Sequence, residues 1–191
     1  MSSGDSTPFV FDTGPLCCFA QSGWFNILKE VIGNNPAIIP QAVLNELKLG
    51  AKKDPRIEAI LDADWIKHHI QDSDAEILAY ARYAKTLVTG QRNVGEASVL
   101  ALAESMPAIA VIDDAAGRKA AKRAGVDCRP TLRLLCDAID TGLLTLPLVS
   151  ALADDLLATE YRLPFKPGEF GRWATEQGIL AGNQKVLPPL R

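Results

Sequence analysis

The sequence predicts an α/β protein: a central, mainly parallel β-sheet flanked by helices, with a helical section toward its end. Two observations predict it. Short aliphatic and aromatic runs alternate with stretches of helical periodicity along the first two thirds of the chain. The runs Phe9-Val10-Phe11 and Ile109-Ala110-Val111-Ile112 show no polar alternation, as expected of parallel strands covered on both faces. At 191 residues with 48% apolar content, the chain can bury a sizeable core as one domain. The expected regions are a flexible lead-in over 1–7, a main domain over 8–146, a helical extension over 147–180 packed on the same domain, and a tail over 181–191.

Taken in order, residues 8–12 form the first strand, closed by Asp12. Pro15 opens a short helix, since proline suits the first helical turn, and Leu16, Phe19 and Ala20 give it an apolar face. A second helix runs from Trp24 to Ile32 and is stopped by Gly33-Asn34-Asn35-Pro36. Ala37-Ile38-Ile39 is a short buried strand. Pro40 opens a helix reaching Lys53, with Val43, Leu44 and Leu47 inward. Residues 56–62 are helical, and Trp65 to Ile70 reads as a strand. Asp72 or Ser73 caps a helix from Asp74 to Leu87, with Ile77, Leu78 and Ala81 on one face. The helix from Val94 to Ser105 is apolar nearly all round and should be buried. Residues 108–112 form a strand, 115–124 a helix ending at Gly125, and 126–128 a further short strand. Helices follow over 131–141, 148–159 and 169–177.

The net charge of −3 means that a nucleic-acid site, if present, is a local basic patch around an acidic centre. Cys17, Cys18, Cys128 and Cys136 form no Cys-x-x-Cys pair, and His68 and His69 have no cysteine near them, which argues against zinc. Buried reduced thiols and the absence of a basic apolar leader at Met1–Ser6 suit a cytoplasmic protein. No apolar run is long enough to span a membrane.

The chemistry lies in carboxylates that stand where apolar segments end or helices begin. Asp12 closes the first strand, and its alternative role is capping the helix at Pro15. Glu46 flanks the stripe Val43, Leu44, Leu47, and its alternative is a solvent-facing glutamate. Glu96 follows Asn93-Val94-Gly95, where Asn93 and Glu96 also fit a capping box. Gly95 beside it permits close approach of another chain or a ligand. Asp113 and Asp114 end a buried strand, two acids where capping needs one. Two unit charges about 6 Å apart cost roughly 3 kcal/mol at an effective dielectric of about 20. A divalent cation removes that cost, so acids gathered at one sheet edge point to metal-dependent phosphate chemistry.

In combination these segments resemble the PIN-domain nucleases. The matching segments are Phe9-Val10-Phe11-Asp12-Thr13, Val43-Leu44-Asn45-Glu46-Leu47, Gly95-Glu96-Ala97 and Val111-Ile112-Asp113-Asp114. The stretch from Asp113 to Ala121, with Gly125 and Thr131-Leu132, is similar to a prokaryotic branch that includes VapC-type toxins. The resemblance implies a PIN-like α/β/α sandwich whose catalytic domain is the 8–146 region. It implies a metal-dependent endoribonuclease acting on single-stranded RNA, with water attacking in line to leave 5′-phosphate and 3′-hydroxyl ends. Mg²⁺ or Mn²⁺ would be held by Asp12, Glu96 and Asp113 or Asp114, with Glu46 completing the catalytic set. The toxin resemblance implies an antitoxin protein as partner, and a homodimer is expected. The alternative is a catalytically degenerate relative that only binds nucleic acid or protein.

Thr13, Arg92, Arg118 and Lys119 are the expected substrate-binding residues, Arg118 foremost, since it lies one turn after Asp114. Leu16, Phe19, Trp24 and the 74–87 helix serve either a dimer surface or the core. Other families fit poorly. Asp12-Thr13-Gly14 spells the aspartic-protease signature, but that fold is nearly all β. Gly14 stands where an aspartyl-phosphate phosphatase needs a second aspartate. A phospho-receiver requires paired acids near the first strand and a lysine after a late strand, neither of which is present.

Overall fold

Four short strands, β1 (Phe9–Phe11), β2 (Ala37–Pro40), β3 (Ile66–His69) and β4 (Ile109–Val111), form one sheet in the order β3-β2-β1-β4. The computed structural model describes residues 6–159 and 161–180. Every pairing is parallel: Phe9 stands opposite Ala37 and Ile109, Phe11 opposite Val111, and Ile39 opposite His68. All three residues of β1 and of β4 are buried. Because successive strand residues face opposite sides, both faces of the sheet centre are covered. The fold is thus the α/β class that the alternating elements predict.

The crossovers are helical. Helix α1 (Thr13–Gln21) and α2 (Phe25–Ile32) link β1 to β2, and α3 (Gln41–Ala51) leaves β2 directly. A single 3₁₀ turn at Pro55–Ile57 and the one-turn α4 (Glu58–Leu61) precede β3. Asp54 caps that turn and forks with Arg56, while Gln21 donates to it from the end of α1. Helices α5 (Asp74–Leu87) and α6 (Val94–Ser105) join β3 to β4, and α7 (Ala115–Ala124) follows, closed by Gly125 in the left-handed conformation. The chain leaves β1 toward β2 on one side and receives β4 on the other. The carboxyl end of β1 is therefore the point where strand order reverses, the place where open α/β sheets bind their ligands.

Two compact units part between Leu132 and Arg133, and α8 (Thr131–Asp140) spans the division. The second unit holds α9 (Leu146–Ala158), capped by Thr145, and α10 (Phe170–Glu176). Phe165, Phe170 and Trp173 form its aromatic cluster, with ring centroids 5.1 to 6.3 Å apart. The tail over 181–191 and most of the lead-in lie outside the described residues.

Two expectations, the inward face of α5 and a strand over 126–128, require correction, and two open alternatives, at Leu16 and Phe19 and at Asn93, are decided. On α5 the buried residues are Glu76, Ala79, Tyr83 and Leu87, whereas Ile77 and Leu78 are exposed. The inward stripe includes an acid because His69 Nε2 lies 2.8 Å from Glu76 Oε2 and supplies a partner. Leu16 and Phe19 are fully buried, so they belong to the core and offer no surface. Residues 126–128 make no strand; Cys128 forms only an isolated parallel bridge with Ala110. Finally, Asn93 is left-handed, with φ of 62°, and its amide donates to the Leu87 carbonyl, so no capping box forms with Glu96.

Candidate functional site

The sheet topology brings the predicted acids together at the carboxyl end of β1. Asp12 follows β1 directly, and its amide donates to the Val111 carbonyl of β4, 3.0 Å away. Its side chain is buried yet makes no hydrogen bond of capping geometry to α1. The Thr13 and Gly14 amides at the start of α1 still favour its charged form, so contact with the helix start and a place among the acids coexist at this residue.

Glu46 reaches the same place from the second turn of α3. Thr13 Oγ1 donates to Glu46 Oε2 at 2.5 Å, tying the start of α1 to this helix. The meeting point is Gly95. A Cβ at Gly95 would lie 3.0 Å from Asp12 Oδ1, 3.0 Å from Glu46 Oε1 and 3.1 Å from Glu46 Oε2. Two carboxylates from different elements thus come to within about 6 Å of each other in space that any side chain at position 95 would fill. Glu96 is the next residue, half-buried at the start of α6. Gly117, in the first turn of α7, packs against it at ordinary contact distance: a Cβ there would lie 3.7 Å from Glu96 Cβ and Cγ but 2.8 Å from Ile112 Cγ2, so it is the Ile112 side chain that requires glycine.

Electrostatics register the crowding. Burial foremost, then the negative charges of Glu96 and Glu46, push the Asp12 carboxyl up to about 8, while the Thr13 and Gly14 amides pull it partly back. Glu96 is raised by burial, then by Glu46 and Asp114. Burial also pushes the neighbouring Cys17 thiol up to about 12, with Asp12, Asp54 and Glu46 adding to it. The four thiols, Cys17, Cys18, Cys128 and Cys136, are all free.

The two adjacent aspartates part company. Asp114 caps α7, its Oδ1 accepting from the Ala116 amide at 2.7 Å and the Gly117 amide at 3.2 Å, and it stands close enough to raise Glu96. Asp113 turns to Thr131: Oδ1 accepts from the Thr131 amide and Oδ2 from its hydroxyl, each at 2.7 Å. Thr131 is fully buried. Its part in holding the end of β4 was not foreseen, although a buried-strand acid followed by a threonine at a helix start was a readable signal.

The basic and hydroxyl residues are distributed differently. Thr13 faces the acids through Glu46. Arg118 donates from Nη1 to the main-chain carbonyl of Asp113. Lys119 is exposed on α7, and Arg92 is exposed in the turn before α6, where its main chain pairs with Thr89. A second ligand-type group, missed in the sequence, lies across the β3–α5 connection: ligand atoms of His69, Asp72 and Glu76 all fall within 4.8 Å of one another.

Carboxylate oxygens that approach one another from separate segments, one of them driven toward its protonated form by burial and then by its neighbours, are the donor type that suits a hard divalent cation. Asp12 and Glu46, with Glu96 beside Gly95 and Asp114 near Glu96, offer the oxygen donors that such an ion takes, although among the described residues the group whose ligand atoms all lie within 4.8 Å is His69, Asp72 and Glu76. A search for curated relatives of the chain found none that matches. A family model described as a PIN domain matches residues 8–166.

Proposed function

The chain belongs to the PIN-domain family, whose members are generally nucleases, and on that premise we propose that it is a divalent-metal-dependent endoribonuclease acting on single-stranded RNA. The convergence of Asp12 and Glu46 on Gly95, with Glu96 beside it, carries this reading. Asp12, Glu96 and Asp114 are the residues proposed to hold Mg²⁺ or Mn²⁺, and the Asp113 carboxylate holds the end of β4 against Thr131. When bound, the ion lowers the pKa of a water and offsets charge building on the phosphorus oxygens. Glu46, oriented by the Thr13 hydroxyl, takes the proton of the attacking water. The new P–O bond forms as the P–O3′ bond breaks, and the 3′ oxygen leaves as a hydroxyl by taking a proton from solvent water. Lys119, Arg92 and the remaining donors of Arg118 steer the phosphate chain.

The test uses purified protein on a labelled unstructured RNA with Mn²⁺ or Mg²⁺. Cleavage that EDTA stops and Asp12→Asn abolishes, with both proteins equally folded, is the expected outcome. Equal cleavage by Asp12→Asn would assign the activity to a contaminant and end the proposal. The sequence resemblance to VapC-type toxins supports a narrower role as the toxin of a type II toxin–antitoxin pair in the cytoplasm, partnered by an antitoxin and by a second copy of itself. Growth arrest on expression of the active protein, absent with Asp12→Asn, checks that role.

A further inference from the structure

A cavity of about 290 Å³ opens beside the acids, and its lining is unlike theirs. Its lining includes Gln41, Asn45, Gln71, Tyr80 and Glu76. Asn45 and Val94, both in the lining, immediately precede Glu46 and Gly95 in the chain. The cavity wall is therefore continuous along the chain with residues of the acidic centre. Its volume is at the low end for small-molecule sites, which suits one planar heterocycle. No lysine or arginine lines it, so it is built for an uncharged group rather than a phosphate.

The side chains present define which group. Glu76 is almost wholly buried, and its Oε2 is held by His69 Nε2 at 2.8 Å, so the carboxylate is fixed in place. A fixed carboxylate accepts best from two adjacent N–H donors. Guanine presents such a pair, N1–H and N2–H₂, on its Watson–Crick edge. Uracil offers a single donor flanked by carbonyls that a carboxylate repels, and cytosine and adenine set a ring acceptor beside their amino group. The Gln41 and Asn45 amides, which pair at 2.8 Å, form a short chain from which a donor can serve the guanine O6. Tyr80, the sole aromatic in the lining, supplies a stacking face of the kind that holds splayed single-stranded bases.

We infer that this cavity is a base-reading subsite that accepts a guanine next to the scissile phosphate, with Glu76 as the residue that sets specificity. The inference rests on the nuclease reading above for its biological use, but it is tested by binding. The probes are fluorescent RNA pentanucleotides that differ only in the central base, titrated into Asp12→Asn protein without metal. The guanine probe is expected to bind at least tenfold more tightly than the uracil probe. Glu76→Gln, which keeps the size and a hydrogen bond to His69, should bring the two within about twofold. Ala42→Leu, which adds bulk at a different lining residue and leaves the Glu76 carboxylate in place, should do the same. Equal affinity for all four bases, or a guanine preference that survives both substitutions, overturns the subsite. Cleavage by wild-type protein at random sequence alongside equal binding would sink the subsite and spare the nuclease; guanine-selective binding without cleavage would do the reverse.

Discussion

Asp12 carries the sharpest consequence at the scale of a residue. Its carboxyl titrates near 8 in the metal-free folded protein and near its ordinary 3.8 when unfolded. Between those values the folded chain binds the extra proton, so stability falls as pH rises. The contribution is complete below about pH 4 and lost through about pH 8, at up to about 1.4 kcal/mol per pH unit. Glu96 is raised too and acts in the same sense. Asp54, lowered to about 2, acts in the opposite sense but only below its ordinary value, outside this window. Thermal melts in EDTA should therefore show Tm falling from pH 5 to pH 8, and Asp12→Asn should flatten that slope. A Tm that rises across the window in the metal-free protein would contradict the burial of this acid. Gly95 gives a second test. Alanine favours helix over glycine by about 1 kcal/mol, yet its Cβ would stand 3.0 Å from two carboxylate oxygens. Gly95→Ala should remain folded and lose at least about tenfold in cleavage, since displaced ligands cannot share an ion. Gly14→Ala is the control, because its Cβ would meet Asp12 Oδ2 at an ordinary 3.8 Å.

At the scale of an element, helix α5 shows where periodicity misleads. Ile77, Leu78 and Ala81 share a face by spacing, but the packed face is Ala79, Tyr83 and Leu87, with Glu76 at its start. An acid in the inward stripe looks wrong until His69, at the carboxyl end of β3, is seen beside it. Ser73 fixes the start of the helix by accepting from the Glu76 amide at 3.2 Å. Leu78→Lys should accordingly change stability by no more than about 0.5 kcal/mol. Leu87→Ala should cost about 2 to 5 kcal/mol. Urea unfolding measures both, and the reverse ranking would restore the periodicity reading. Helix α6 behaved as its all-apolar sequence implied, with seven of its residues buried from Gly95 to Ala103. Its first turn did not, because Asn93 turned left-handed and left Glu96 for the acidic centre.

At the scale of the whole molecule, a charge-crowded centre built by four separate segments should respond to cations as a unit. Mn²⁺ or Mg²⁺ at about 100 times its Kd should stabilise the fold by about 2.7 kcal/mol, seen as a Tm increase that EDTA reverses and Asp12→Asn removes. An unchanged Tm over millimolar Mn²⁺ would count against the site. How much was readable beforehand follows from the same geometry. Asp12 and Glu96 were legible because each stands at a strand end or helix start whose local signals are strong, whereas Glu46, in the second turn of α3, stood out only through the family resemblance, and the parallel order then brought them to one edge. The chain by itself determined the alternating elements, the buried central strands and the identity of the acids, since these depend on local propensity and hydrophobic patterning. Only the tertiary structure decided that Asp114 approaches Glu96 while Asp113 turns to Thr131, that Gly95 is the gap admitting Asp12 and Glu46, and that Glu76 is buried against His69. Those outcomes depend on distances between segments far apart in sequence, and no local pattern encodes a distance.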